Sequence, residues 1–318
     1  MTILKAKQKK TVLIFGGGGF IGSHMAESLT NDFRVIIFDK KNFSRQNIST
    51  CEADIEIVEG DFCNHLDWLH ALNTADYVVH LICTTLPATS NENCTYDIES
   101  NVVPSLKLLD ALRKNPRSRL IFISSGGTVY GKTEELPINE EAGTNPICSY
   151  GIGKLMIEKY LHLYHTVYGL DYRTARLSNA YGERQNTTSN QGLITTILHK
   201  VLQGQTVEIW GNGLVVRDYI YVKDAVDCIK KMLTYDGPER TFNVSSNKGY
   251  SVRQVLDTIA AVMAREMEVT YSGERKFDVR DNILNNSLAA RELGWKPKVS
   301  LPEGIAMVYE WLKDRAKE

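Results

Sequence analysis

Residues 11–24 read TVLIFGGGGFIGSH, an apolar run that breaks on glycines and then resumes at helical spacing. Gly16, Gly19 and Gly22 form a G-x-x-G-x-x-G series directly after the run. Glycines so placed let the chain turn tightly out of a strand and bring backbone N–H groups close to a phosphate. They also let the following helix pack hard against the strand. The stretch therefore predicts strand, turn and helix in that order, with a dinucleotide pyrophosphate as the ligand of the turn.

The same pattern continues outward. RVIIF (34–38), IEIV (55–58), YVVHLI (77–82) and RLIFISS (119–125) are short, β-branched and almost continuously apolar. Strands buried on both faces of a parallel sheet read this way. Between them, IGSHMAESLTN and VPSLKLLDALRK carry apolar residues three and four apart, the spacing of an amphipathic helix. Strand–helix alternation implies right-handed βαβ units and an α/β fold, a Rossmann-like doubly wound parallel sheet. From about residue 180 the pattern loosens, and loops such as GERQNTTSNQG and WGNGLVVRD interrupt shorter elements. This predicts a smaller C-terminal α/β lobe over the open edge of the sheet. The expected division is 10–178 for the nucleotide domain, with a segment near 223–245 returning to it, and 179–318 for most of the second lobe.

Composition narrows the function classes. The chain has 318 residues, 43% hydrophobic and 24% charged, with a formal net charge of −1. A near-neutral balance argues against nucleic acid as a partner. The basic start MTILKAKQKK is followed only by the short run TVLIF, too short for a signal segment or a membrane span, which predicts a solvated tail. The six cysteines (Cys51, Cys63, Cys83, Cys94, Cys148, Cys228) are scattered without a C-x-x-C. They predict reduced thiols in a cytoplasmic protein and no metal site. Cys83 and Cys148 fall near the motifs below and are expected to pack.

Asp39 ends the second strand in VIIFDKK. A carboxylate there accepts from an adenosine ribose and repels a 2′-phosphate, which favours NAD, with Lys40, Lys41 and Arg45 as the opposing signal. Asp61, in EGDF after the third strand, is where an adenine amino group could be met. Further on, SYGIGKL (149–155) sets Tyr150 and Lys154 four apart on one helix face. A free phenol has a pKa near 10, and a neighbouring ammonium and a cationic nicotinamide both favour its ionised form. Tyr150 is thus a candidate acid/base for alcohol–ketone interconversion.

GGGGFIGSH, GDF, HLICTTLPATSN, SSGGTVYG, SYGIGKL, RLSNAYGERQ, VRDYIYVKDA and LGWKP together resemble the extended short-chain dehydrogenase/reductase family, from about residue 10 to 316. Within it they are most similar to NAD-dependent nucleotide-sugar epimerases of the UDP-glucose 4-epimerase type. The resemblance implies Gly16, Gly19, Phe20 and Ile21 along the pyrophosphate and Asp39 on the ribose. It implies Asp61 and Phe62 flanking adenine, Leu81 and Asn101 lining the cofactor trough, and Lys154 on the nicotinamide ribose. It further implies Asn179, Arg217, Arg275 and Asp278 on the nucleotide diphosphate and ribose of the sugar substrate. Guanidinium forks suit diphosphate oxygens. Homodimerisation through the Tyr150 helix, and a place in carbohydrate metabolism, are implied as well.

Two departures stand out. The family's serine or threonine after the fifth strand falls on Gly126, leaving Ser125 or Thr128 to supply the hydroxyl. Gly153 stands before Lys154 where the family more often has serine. SGGTVYG also lacks the acids that dehydratase-like relatives carry there, which argues against dehydration and decarboxylation. A 4-epimerase, a one-way 4-keto-sugar oxidoreductase and a non-catalytic NAD-binding protein remain as alternatives.

Overall fold

The architecture is that of a computed structural model describing residues 9–187, 192–273 and 279–315. The first part runs β1 (Thr11–Phe15), α1 (Phe20–Leu29), β2 (Arg34–Asp39), β3 (Ile55–Glu59), α2 (Leu66–Thr74) and β4 (Tyr77–His80). It continues with α3 (Cys94–Asp97), a π-helical turn (Ile98–Val102), α4 (Val103–Leu112), β5 (Arg119–Ser125), α5 (Ser149–Tyr168) and β6 (Tyr172–Leu177). The rest comprises β7 (Asn179–Tyr181), α6 (Leu193–Leu202), β8 (Val207–Trp210), β9 (Val216–Tyr221), α7 (Val222–Leu233) and β10 (Thr241–Val244). It ends with β11 (Gly249–Ser251), α8 (Val252–Met263), β12 (Val269–Ser272), β13 (Asp281–Asn282), α9 (Ser287–Leu293) and α10 (Leu301–Arg315).

Seven strands form one sheet in the order β10-β6-β5-β4-β1-β2-β3, every pair parallel. Both faces are covered, which is why β1, β4 and β6 are buried at every position. One core, with Ile14, Ile37, Ile123 and Val244, lies under α1 and α7; the other, with Phe15, Phe122, Leu109 and Leu161, lies under α2, α4 and α5. The strand order reverses between β1 and β4. In a doubly wound sheet that switch point is where ligands enter, outside the carboxyl ends of the strands.

β10 and α7 join this domain, and so does residue 295, beyond the returning segment expected from the sequence. Trp295 is fully buried in the first core and its indole N–H donates to the Asp224 carbonyl at 3.1 Å. The apolar run 77–82 was expected to be strand throughout, but β4 stops at His80. Leu81 still donates its N–H to Phe15 O at 3.0 Å before the chain leaves the sheet.

The second lobe builds its own core from α6, α8, α10, β8 and β9, including Ile197, Ile209, Ile259 and Ile305. β9 pairs with β7, β11 and β13, and β8 pairs with β12. Among the described residues, no helix is long and apolar enough to cross a membrane.

Candidate active site

The glycine turn is built for close approach. Gly16 has φ +84°, a left-handed conformation that side chains resist, and its N–H is fixed to Phe38 O at 2.8 Å. Gly22 sits so tightly under the turn that a Cβ there would lie 2.1 Å from Gly16 O. Only glycine lets α1 begin this near to β1, which leaves a cradle of backbone N–H groups at the helix N-terminus. Leu81 borders the turn: a Cβ on Gly16 would come within 3.5 Å of it. Gly19 is the N-cap of α1, and Phe20 and Ile21 are its partly exposed first residues.

Asp39 sits at the tip of β2, with Oδ2 accepting from Gly18 N at 2.8 Å and Oδ1 from Lys40 N at 2.9 Å. Burial pushes its carboxyl up, while these two N–H groups pull it down. Arg45, one of the three basic groups that oppose the preference for NAD, is committed elsewhere: it pairs with Glu52 at 2.8 Å and Glu59 at 3.3 Å. Asp61 is exposed, and its Oδ1 accepts from Cys63 N at 2.9 Å. Phe62 differs from expectation. Its ring turns into the core, with centroids 5.3 Å from Phe15 and 5.0 Å from His80, so only its backbone can meet an adenine.

At the end of β5 the chemical groups converge. Burial pushes the pKa of the Tyr150 phenol up, Cys83, Cys148 and Asp97 add to the rise, and the neighbouring Ser125 hydroxyl pulls it down. Lys154 is buried and donates to Ile123 O at 2.9 Å, its Nζ lying 5.7 Å from the centre of the Tyr150 ring. It stands beside the phenol and is bound to the strand. Thr128 is bonded back to Ser125 O at 3.4 Å and packs near Gly151, whose Cβ would meet it at 3.1 Å.

The direction of Gly126 explains the missing hydroxyl. A Cβ there would point at Leu284 Cδ1, 2.3 Å away, and at Arg176 O, 3.1 Å away. Leu284 belongs to a small buried cluster with Val129, Tyr130 and Ile138. Position 126 thus faces packed interior, whereas Ser125 meets the phenol. At Gly153 a Cβ would make ordinary contacts, 3.6 Å from Val102 and 3.8 Å from Asp97. That departure changes little.

Asn101 lies in the π-helical turn, a feature frequent at functional sites. Its Oδ1 accepts from Thr84 N at 2.8 Å and its Nδ2 donates to Asp97 Oδ1 at 3.0 Å. In the second lobe, Asn179 on β7 and Arg217 on β9 are drawn into one sheet. Asn179 Nδ2 donates to Asp218 O at 3.0 Å, and Arg217 Nη1 to Val216 O at 2.9 Å. Arg275 and Asp278 lie outside the described residues.

The profile of the NAD dependent epimerase/dehydratase family matches residues 12–245. The chain belongs to this family. NAD is its cofactor, and the glycine cradle and Asp39 fit that group. A UDP-glucose 4-epimerase of Mycolicibacterium smegmatis is 30% identical to this epimerase/dehydratase chain over 310 residues, covering 96% of it and 99% of the relative. A dTDP-4-dehydro-6-deoxyglucose reductase of Escherichia coli is 31% identical over 310 residues, covering 94% and 96%. The crystal structure of a UDP-glucose 4-epimerase with UDP-glucose from Thermotoga maritima superposes with a TM-score of 0.91 at 32% identity, covering 96% of this chain and 99% of that one. Relatives at near-equal identity carry different reactions, so membership establishes a nucleotide-sugar enzyme of this family and leaves the reaction to the site itself.

Sequence reasoning passed over the polar groups behind this epimerase/dehydratase site. Glu158 on α5 and Arg176 on β6 form a buried ion pair at 2.7 Å, and Ser124 donates to Glu158 Oε1 at 2.5 Å. Arg176 Nη1 donates to the Tyr130 hydroxyl at 3.0 Å, which donates to Asn243 at 2.7 Å. Asp218 is fully buried between the lobes, accepting from Ser246 N at 2.8 Å and Asn247 N at 3.0 Å. The sequence signal is a charged residue within a buried strand, as at Arg176 in YRTARL.

Proposed function

We propose that the protein is a nucleotide-sugar 4-epimerase acting on a UDP-hexose. The observation that carries this reading is Lys154 Nζ standing 5.7 Å from the centre of the Tyr150 ring, beside Ser125 and a loop that contains no acid between residues 125 and 131. The nearby carboxylate, Asp97, is buried and engaged by Thr85, Ser149 and Asn101, so it is not poised to remove a carbon-bound proton. Elimination of water lacks its base.

When bound, NAD supplies a hydride acceptor and donor at the sugar C4 and a cationic ring that favours the phenolate. Tyr150 takes the proton of the C4 hydroxyl as the carbonyl forms and returns it as the carbonyl is reduced on the other face. Ser125 holds the phenol oxygen and the sugar oxygen in one hydrogen-bonded set. Lys154 orients the ribose side of the cofactor. Arg217 and Asn179 hold the diphosphate end, so the sugar can turn about a fixed anchor.

The second reading, a one-way oxidoreductase of a 4-keto sugar nucleotide, rests on the 31% identity to a reductase. Proton NMR of the purified protein with UDP-glucose, UDP-N-acetylglucosamine and their 4-epimers, with no added cofactor, separates the two. The opposite epimer is expected to appear. Its absence with every sugar, while NAD is bound, would move the assignment to the oxidoreductase.

The partner of the outer face of α5 is, in this reading, a second copy of the chain. Ile152, Leu163 and Val167 are exposed along one stripe of that helix, with Ile98 and Val103 beside it. Light scattering should give a dimer, and Leu163→Lys a monomer. All six cysteines are free, which supports a reducing compartment such as the cytoplasm.

A further inference from the structure

Helix α5 begins without a cap of its own. Its N-cap residue, Cys148, is extended and makes no side-chain bond to the first turn. The first backbone N–H groups of a helix have no partner within it and must find one elsewhere. Here two of them are taken by a distant segment. Asn91 Oδ1 accepts from Ser149 N at 2.8 Å, and Ser90 Oγ accepts from Tyr150 N at 3.0 Å. Ser90 is 1% exposed, so this contact is enclosed by the fold.

Both residues close the long connection that leaves β4. Its other parts are knitted to the same place. Thr84 N donates to Asn101, Thr85 donates to Asp97, and Asp97 Oδ2 accepts from Ser149 Oγ at 2.6 Å. Cys83, at the start of the connection, donates from Sγ to Thr85 O at 3.5 Å. The segment from Cys83 to Asn101 therefore grips the first turn of α5 through two backbone N–H groups and one hydroxyl.

We propose that Ser90 and Asn91 are positioning residues for proton transfer: they cap α5 from outside and so set the Tyr150 phenol beside Ser125 and Lys154. The inference rests on the reading of Tyr150 as the acid/base. Tyr150 is the second residue of the helix, in the turn that frays when its N–H groups are unpaired. A misplacement of about 1 Å at a reacting group can cost on the order of 100-fold in rate.

The test uses the full-length, NAD-containing protein and whichever of UDP-glucose or UDP-N-acetylglucosamine it turns over. Ser90→Ala/Asn91→Ala should lower kcat at least about tenfold, leave KM within about twofold and leave bound NAD unchanged. Deuterium exchange of the 148–154 backbone should become faster in the same variant. Ser90→Thr keeps an acceptor and should restore the rate. Asn91→Asp keeps the cap but adds a charge to the surroundings of the phenol, which already include Lys154, Cys83, Cys148 and Asp97. It should regain kcat at high pH with the acid limb of the profile moved up by about half a pH unit. A purely structural role would lower the melting temperature and leave both the kcat-to-KM split and the acid limb unmoved. Wild-type kcat and unchanged exchange in the double variant would overturn the proposal. Turnover retained by Tyr150→Phe would instead overturn the acid/base reading on which it rests.

Discussion

Restoring the family hydroxyl at position 126 should harm this protein. In Gly126→Ser the new Cβ begins 2.3 Å from Leu284 Cδ1 and 3.1 Å from Arg176 O. Carbon atoms in contact sit about 3.5–4.0 Å apart, so the leucine tip must retreat by more than about 1 Å. The loop cannot step aside easily. Gly126 N is bonded to Leu177 O at 2.9 Å, and Gly126 O accepts from Asn282 Nδ2 at 3.1 Å. Leu284 is itself fully buried. Overpacking of this kind costs about 1–3 kcal/mol. With an unfolding entropy of about 0.7 kcal/mol/K for a chain of this size, the melting temperature should fall by about 2–4 °C. The added hydroxyl faces the interior, so kcat should not rise. Leu284→Ala alone should cost about 2–5 kcal/mol, and the double variant should lose less than the sum of the two. Calorimetry and the NMR epimerisation assay measure both quantities. Faster turnover in Gly126→Ser, with an unchanged melting temperature, would refute the argument that Ser125 has taken over the role.

Ser125→Ala should lower kcat by about 10- to 100-fold, the worth of one hydrogen bond to an ionising group, whereas Thr128→Ala should cost far less. Steady-state rates of the pair decide which hydroxyl serves the phenol. Glu158→Gln leaves Arg176 buried beside a neutral partner and should destabilise by about 3–5 kcal/mol, a drop of about 4–7 °C in melting temperature by calorimetry. Asp218 has its pKa pushed up to about 6 because burial outweighs its backbone N–H donors. A carboxyl raised on folding holds its proton longer in the native state, so its contribution is greatest at low pH and is lost as pH rises through about 6. The stability of wild type relative to Asp218→Asn, from urea titrations, should therefore shrink by about 2–3 kcal/mol between pH 4.5 and 7.5. An advantage that grows with pH would contradict this.

What could be read in advance follows from range. The glycine turn, Asp39 and the Tyr150–Lys154 pair are each defined within a few residues, and alternation of apolar runs carries the sheet. Ser90 and Asn91 meet α5 across 60 and 58 positions, and nothing in their own neighbourhood marks them as caps. Phe62 follows a motif that suggests a ligand contact, yet its ring is drawn into an aromatic cluster with Phe15, Trp68 and His80. Gly126 reads as a gap in a catalytic set until Leu284, 158 residues on, is seen filling the space. Likewise, the place of Trp295 in the first core depends on burying one large indole against α7. Local chemistry is legible from sequence, and side-chain direction across the fold is not.

The central claim is that one hydride leaves the sugar C4 and returns to the same carbon. A UDP-hexose carrying deuterium at C4, incubated with the purified protein and no added cofactor, tests it most directly by NMR. The 4-epimer should form with deuterium still at C4 and no exchange with solvent. Loss of the label to water, or accumulation of a 4-keto product without epimer, would contradict it.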